Sequence, residues 1–302
     1  MDMLLKYHVD SKNSGRKVRS ILKNEFKFSS SLIKKLKYNR KIFYNGVPVY
    51  VNHVVKAGDI IEAHIHFEER SDNVKPVKMD LHILYEDDCV IALDKPDGLI
   101  VHPSPTDPEN TIANGLKYYF ESKGERIKVR PVSRLDRGTT GVIVFAKNQF
   151  IQERLKHQMK TKQYHKEYIG IVHGCPPKAS GTIDLPIARA PDSIILREVS
   201  ESGAPSVTHY SVLSYLDNAA VMRFILETGR THQIRVHCQA ICHPLIGDTL
   251  YSDISADLIS RQALHSHYVS FTHPVTGERT EIVSPLPQDM RKLLESVKKG
   301  KL

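Results

Sequence analysis

The chain has 302 residues, of which 40% are hydrophobic and 25% charged, and its formal net charge is +9. Such a length can bury more than one core, and the composition excludes disordered, collagenous and disulfide-stapled classes. No run approaches the roughly 20 apolar residues that span a bilayer, Met1-Asp2-Met3-Leu4-Leu5-Lys6 offers no leader core, and the four cysteines (Cys89, Cys175, Cys238, Cys242) are scattered, so reduced thiols in a cytoplasmic protein are expected.

The charge is lopsided. Residues 1–56 carry thirteen Lys and Arg against three acids, a local +10 that leaves −1 for the other 246 residues. A positive field gathered in one small unit points to a nucleic acid or an anionic membrane surface. Within it, residues 14–38 read as two short helices. Val18, Ile21, Leu22 and Phe26 fall at helical spacing, and Ser29-Ser30-Ser31 offers caps for a helix carrying Leu32, Ile33 and Leu36. Lys41 to Tyr44, the turn Asn45-Gly46 and Val47 to Val51 predict a hairpin, because Asn-Gly accepts the left-handed backbone that a tight turn needs. A strand from Asp59 to His66 follows. Glu68 to Lys78 is polar, contains a proline and reads as a linker.

From Met79 onward short strands and helices alternate. Strands are expected at Val90–Asp94, Val142–Ala146, Tyr164–Val172, Ser206–Ser214, Ala220–Glu227, His265–Phe271 and Thr280–Val283. Helices are expected at Ile112–Phe120, Phe150–Lys160, Thr231–Ala240 and Gln288–Lys298. Consecutive strands without regular helical crossovers predict an α+β fold with a mixed, mainly antiparallel sheet. The domain division read from the chain is 1–67, a linker at 68–78, and 79–302.

Several polar groups could carry chemistry. Asp136 lies between Arg134 and Arg137 on a glycine-bounded loop that feeds the apolar run Val142–Ala146, a rigid mounting for a reactive group. By its residue type alone it also reads as a cap or a surface charge. Tyr168 reads as a half-buried strand aromatic or as a stacking surface for a base. Arg230 reads as a surface arginine or as the partner of a carboxylate or phosphate. His237, Cys238, Cys242 and His243 lack a Cys-x-x-Cys pair, and Cys238 shares an apolar face with Ile234 and Ile241, so no metal is expected. Gly138-Thr139-Thr140-Gly141 lacks the Gly-Lys-Ser/Thr ending of a phosphate loop.

Taken in order, the motifs resemble those of the RluA-type pseudouridine synthases. The matching runs are Asp94-Lys95-Pro96-Asp97-Gly98-Leu99-Ile100-Val101-His102-Pro103, Arg134-Leu135-Asp136-Arg137 with Thr139-Thr140-Gly141, Lys166-Glu167-Tyr168, Gly229 to His237, His243-Pro244-Leu245-Ile246-Gly247-Asp248 and Ala263-Leu264-His265. The resemblance spans about residues 80–285. Ser133 stands where the family usually has His, and Gly138-Thr139-Thr140-Gly141 where it has Asp-Thr-Ser-Gly. Residues 13–67 resemble an S4-type RNA-binding domain, with Arg16-Lys17-Val18 where Arg-Leu-Asp is usual.

The resemblance implies an enzyme that detaches a uracil from C1′ within RNA, rotates it and rejoins it through carbon, with no cofactor. Asp136 would be the essential carboxylate and must be ionised. Burial alone would raise its pKa by several units, so the site requires a nearby cation, and Arg230 is the candidate. Tyr168 would stack on the freed uracil, and Arg134 would fill the space a flipped base leaves. RNA contacts are expected from Arg134, Arg137, Arg16, Arg19, Lys34, Lys35 and Lys37. The expected partner is ribosomal RNA, with transfer RNA as the other candidate, for a monomer that binds no membrane. The alternative is a ribosome-associated RNA-binding protein that keeps the fold without catalysis.

Overall fold

A computed structural model describes residues 3–65, 74–254 and 258–300. The N-terminal elements are β1 (Met3–His8), α1 (Val18–Asn24), α2 (Ser30–Tyr38), β2 (Ile42–Tyr44), β3 (Val47–Pro48) and β4 (Ile60–Ile65). Next come β5 (Ile83–Glu86), β6 (Val90–Lys95), α3 (Ile112–Ser122), β7 (Arg130–Pro131), β8 (Thr140–Ala146), α4 (Gln149–Lys160) and β9 (His165–His173). The chain ends with β10 (Ser180–Asp184), β11 (Ile187–Arg189), β12 (Arg197–Val199), β13 (Val207–Leu216), β14 (Ala219–Leu226), α5 (Gln233–Ala240), β15 (Leu264–Thr272), β16 (Arg279–Val283) and α6 (Gln288–Lys298).

The N-terminal strands form a four-stranded sheet in the order β1-β4-β2-β3. Two helices cover it and bury Val18, Ile21, Leu22, Leu32 and Leu36. The Ser29 hydroxyl caps α2 by accepting the Leu32 amide at 3.1 Å, and Asn45 and Gly46 turn the hairpin with φ of 47° and 80°. The strand expected at Asp59–His66 is β4; His66 lies outside the described residues, as do residues 68–73 of the expected linker. The rest of that linker is docked: Val74 is buried, and Asn114 of α3 donates its side-chain amide to the Lys75 carbonyl at 2.8 Å.

The larger sheet has ten strands, ordered β10-β13-β14-β9-β15-β8-β6-β5, with β16 beside β15 and β7 beside β8. Every pairing in it is antiparallel except β15 with β8. Alternate residues of β6 and β8 serve two cores. Val90, Ala92, Val142 and Val144 face a cluster that includes Phe150 and Leu155 of α4 and the N-terminal helices. Ile91, Leu93, Ile143 and Phe145 face Ile112, Leu116 and Phe120 of α3. Cover on both faces explains the unbroken apolar run of β8. The N-terminal unit is packed against this body. Phe28 meets Phe150 edge-on at 5.4 Å, and the Ser29 hydroxyl donates to Glu153 at 2.7 Å.

β1, β5, β7 and β10 to β12 were not among the expected strands; all are short or sheet-edge pieces. The helix expected at Thr231–Ala240 begins at Gln233, because His232 takes the left-handed conformation (φ 59°) at its N-cap. None of the helices among the described residues is long and apolar enough to cross a membrane.

Candidate active site

Asp136 sits on the loop between β7 and β8, and buried cations hold that loop by its carbonyls. Lys95, at the end of β6, is fully buried. Its ammonium donates to the carbonyls of Pro96, Leu99 and Arg137 at 2.8, 2.7 and 2.8 Å, while burial pushes its pKa down to about 7. Arg261 donates to the Gly138 carbonyl at 2.9 Å and is itself clamped by Asp289 at 2.7 and 3.0 Å. The Gln262 amide donates to the Thr139 hydroxyl at 3.2 Å, and the Thr140 hydroxyl meets Nδ1 of His265 at 2.9 Å. A Cβ on Gly138 would fall 2.5 Å from Gln262 Oε1. Gln262 thus occupies the room that an acidic side chain would need there. Gly141, at φ 102°, has Ser266 O 2.2 Å from where a Cβ would sit, so only glycine admits the approach of β15.

Opposite the loop stands α5. Arg235 is buried and forms a fork with Asp248 at 2.7 and 2.6 Å. Its remaining nitrogen, Nη1, lies 3.9 Å from Asp136 Oδ2. Burial opposes the Arg235 charge, but Asp248 and Asp136 more than offset this and hold its pKa above the ordinary value. The Asp248 side chain is 0% exposed, whereas the Asp136 side chain keeps 27% of its exposure. One carboxylate is therefore sealed against the guanidinium, and the other faces the opening. The Arg235 guanidinium also lies 5.0 Å from the Tyr251 ring centroid. The Tyr251 hydroxyl accepts the Arg197 amide at 2.9 Å, which leaves its own proton for Nδ1 of His232 at 2.8 Å. Burial lowers the His232 pKa, in keeping with a neutral ring accepting there.

This corrects the role assigned to Arg230. Its Nε donates to the Pro205 carbonyl at 3.3 Å, and its backbone amide is held by Gln233 at 3.0 Å. The ion contact to Asp136 comes from Arg235, five residues on and inside α5. Arg230 still lines the cleft, together with Arg134, Leu135, Tyr168, His232 and Leu226. Tyr168 is 4% exposed on β9 and is backed by Met222, Phe224 and Leu264. The cleft measures about 60 Å³, room for a few water molecules; a uracil must widen it to enter.

The flanking arginines differ. Arg134 is exposed, with no partner among the described residues. Arg137 is not turned wholly to solvent: it donates to the Gly98 carbonyl at 3.1 Å and to Asp107 at 3.2 Å, bracing the loop. In the N-terminal unit Arg16, Arg19, Lys34 and Lys37 are exposed and Lys35 is half-buried. The histidine and cysteine cluster does not converge. Both ring nitrogens of His237 are engaged, by Thr208 at 2.8 Å and the Leu185 carbonyl at 3.0 Å, and Cys238 is buried in the core. The one group of metal-competent side chains among the described residues is Asp87, Cys89 and His273, at the far end of β6 from Lys95. There His273 Nδ1 accepts the Thr276 amide at 3.0 Å, and its Nε2 lies 3.0 Å from Asp87 without making a hydrogen bond to it.

A carboxylate left half-open, a cation fixed beside it and an aromatic floor suit the handling of one flipped base. The family model for RNA pseudouridylate synthase matches residues 89–240.

The chain belongs to this family of RNA pseudouridine synthases.

It is thus an isomerase of uridine in RNA. The Bacillus subtilis protein YjbO, described as an uncharacterized RNA pseudouridine synthase, is 41% identical over 251 residues, 83% of this chain and 88% of its own. The ribosomal large subunit pseudouridine synthase D of Haemophilus ducreyi is 36% identical over 285 residues, covering 90% and 87%. Among solved structures, human RNA pseudouridylate synthase domain containing 4 matches with a TM-score of 0.58 at 26% identity, over 72% of this chain and 93% of that one. These shares agree with a mixed, mainly antiparallel sheet as the body of the fold.

Proposed function

We propose that this protein isomerises specific uridines of ribosomal RNA, with Asp136 as the essential carboxylate. The observation that carries the reading is the shared cation. Asp248 takes the two short bonds of Arg235, leaving Asp136 a contact of 3.9 Å. That contact sets a positive charge beside Asp136 without occupying the carboxylate oxygens, which stay available to the nucleotide. Tyr168 offers its face to the detached uracil, holding it while C5 replaces N1 at C1′ and the C5 proton leaves. Arg134, exposed at the rim, takes the place of the flipped base, and Arg230 contacts a phosphate.

The target follows from relatives such as the Haemophilus ducreyi enzyme, whose name assigns it to the large ribosomal subunit. The N-terminal unit, residues 1–67, is read as an S4-type RNA-binding domain ahead of a catalytic domain at 79–302. Its support is the two helices with exposed Arg16, Arg19, Lys34 and Lys37 beside a hairpin. The protein acts as a cytoplasmic monomer without a cofactor. The test is Asp136→Asn: it abolishes pseudouridine formation, read by chemical labelling and primer extension, while RNA affinity is retained. Continued turnover by that variant would end the assignment.

A further inference from the structure

The N-terminal unit holds a feature that cations alone do not explain. Tyr38, the last residue of α2, is 88% exposed, and Tyr50, just past β3, is 73% exposed. Neither ring meets another ring, and neither hydroxyl has a partner among the described residues. Their neighbours behave differently: Tyr44 packs on His53 at 4.4 Å and Tyr7 on Phe26 at 6.2 Å. Both exposed tyrosines line one cleft of about 820 Å³, within the range that takes a drug-sized ligand. Its floor is apolar, with Leu36, Ile42, Pro48 and Val49, and its rim carries Lys34, Lys37 and Arg40. Arg40 is held there in the left-handed conformation (φ 52°), which glycine adopts far more readily than arginine.

Free aromatic faces bordered by cations match the chemistry of unpaired nucleotides. Bases present their faces to a protein only when they leave the helical stack, and phosphates follow the cations. A paired stem would use the lysines and leave the rings idle. We propose that this cleft binds a single-stranded stretch of RNA, with Tyr38 and Tyr50 stacking on bases and Lys34, Lys37 and Arg40 on phosphates. The proposal rests on the reading of this unit as RNA-binding and adds what form of RNA it takes.

The test uses the full chain and two labelled probes, a 12-nucleotide oligouridine and a closed hairpin duplex, with affinity followed by anisotropy across a salt series. Tyr38→Ala with Tyr50→Ala is expected to weaken oligouridine binding about tenfold or more, with an unchanged salt slope and unchanged duplex binding. Tyr38→Phe with Tyr50→Phe is expected to retain wild-type affinity. Lys34→Gln with Lys37→Gln is expected to flatten the slope for oligouridine. Unaltered oligouridine affinity in the alanine pair would overturn the stacking site alone, as would equal weakening on both probes. Wild-type protein that binds neither probe would remove the RNA-binding reading of the whole unit along with it.

Discussion

The cleft at Asp136 and the N-terminal unit are both cationic, yet they use charge in opposite ways. Around Asp136 the cations that set the geometry are buried, and each is tied to fixed partners: Lys95 to three carbonyls, Arg235 to Asp248, Arg261 to Asp289, while Arg134 and Arg230 stay exposed at the cleft. In the N-terminal unit they are many and exposed. Buried charge holds a geometry, because a misplaced partner costs a desolvated ion. Exposed charge gathers a polyanion by number, and any single contact matters little. On the proposed reading, chemistry and grip are thus separated within one chain.

The sharpest way to break this contrast is Asp248→Asn. It leaves the Arg235 guanidinium buried beside a neutral amide, and stability should fall by about 3–5 kcal/mol in urea unfolding. A loss under about 1 kcal/mol would mean that Arg235 is satisfied without Asp248 and is not fixed by it. A second prediction concerns pH. Burial depresses the pKa of His173, His232, His237 and His265. Unfolding therefore takes up protons as the pH drops below about 6.5, and thermal stability should decline between about pH 7.5 and 5.5. Lys95 acts in the same sense at higher pH. Its folded pKa of about 7 lies below that of a free lysine, so stability should rise above neutrality, and Lys95→Met should remove that rise. Stability that is flat from about pH 5.5 to 9 would contradict both. The smallest effect belongs to the exposed set. Changing Arg16, Arg19, Lys34 and Lys37 to Gln should leave folding intact and flatten the salt slope of RNA binding by about 0.7 per lost phosphate contact on single strands.

Much of this was legible in the residues. The apolar run of β8 announced a strand buried on both faces, Asn45-Gly46 its hairpin, and Gln288–Lys298 appears with the bounds its periodicity gave. The choice between Arg230 and Arg235 was not legible from the motif alone, since both stand in it. Burial decides: Arg230 lies in a turn held by Gln233, whereas Arg235 is set among Ile234, Val236 and Cys238 on a helix pressed to the sheet. An arginine flanked by buried apolar residues, with a carboxylate in the equally apolar Leu245-Ile246-Gly247-Asp248, was the available signal. Lys95 gave none. A lysine at a strand end reads as solvated, and the three carbonyls that capture it come together only in the folded chain.

The seam where Phe28 meets Phe150 and Ser29 meets Glu153 sets a fixed span between the two ends of the molecule. An RNA engaged at both ends, as proposed, would then be measured as well as held. On the proposed reading, the length of chain between the gripped stretch and the modified uridine would have to match that span, so target choice would be made by spacing, without a base being read at the point of reaction.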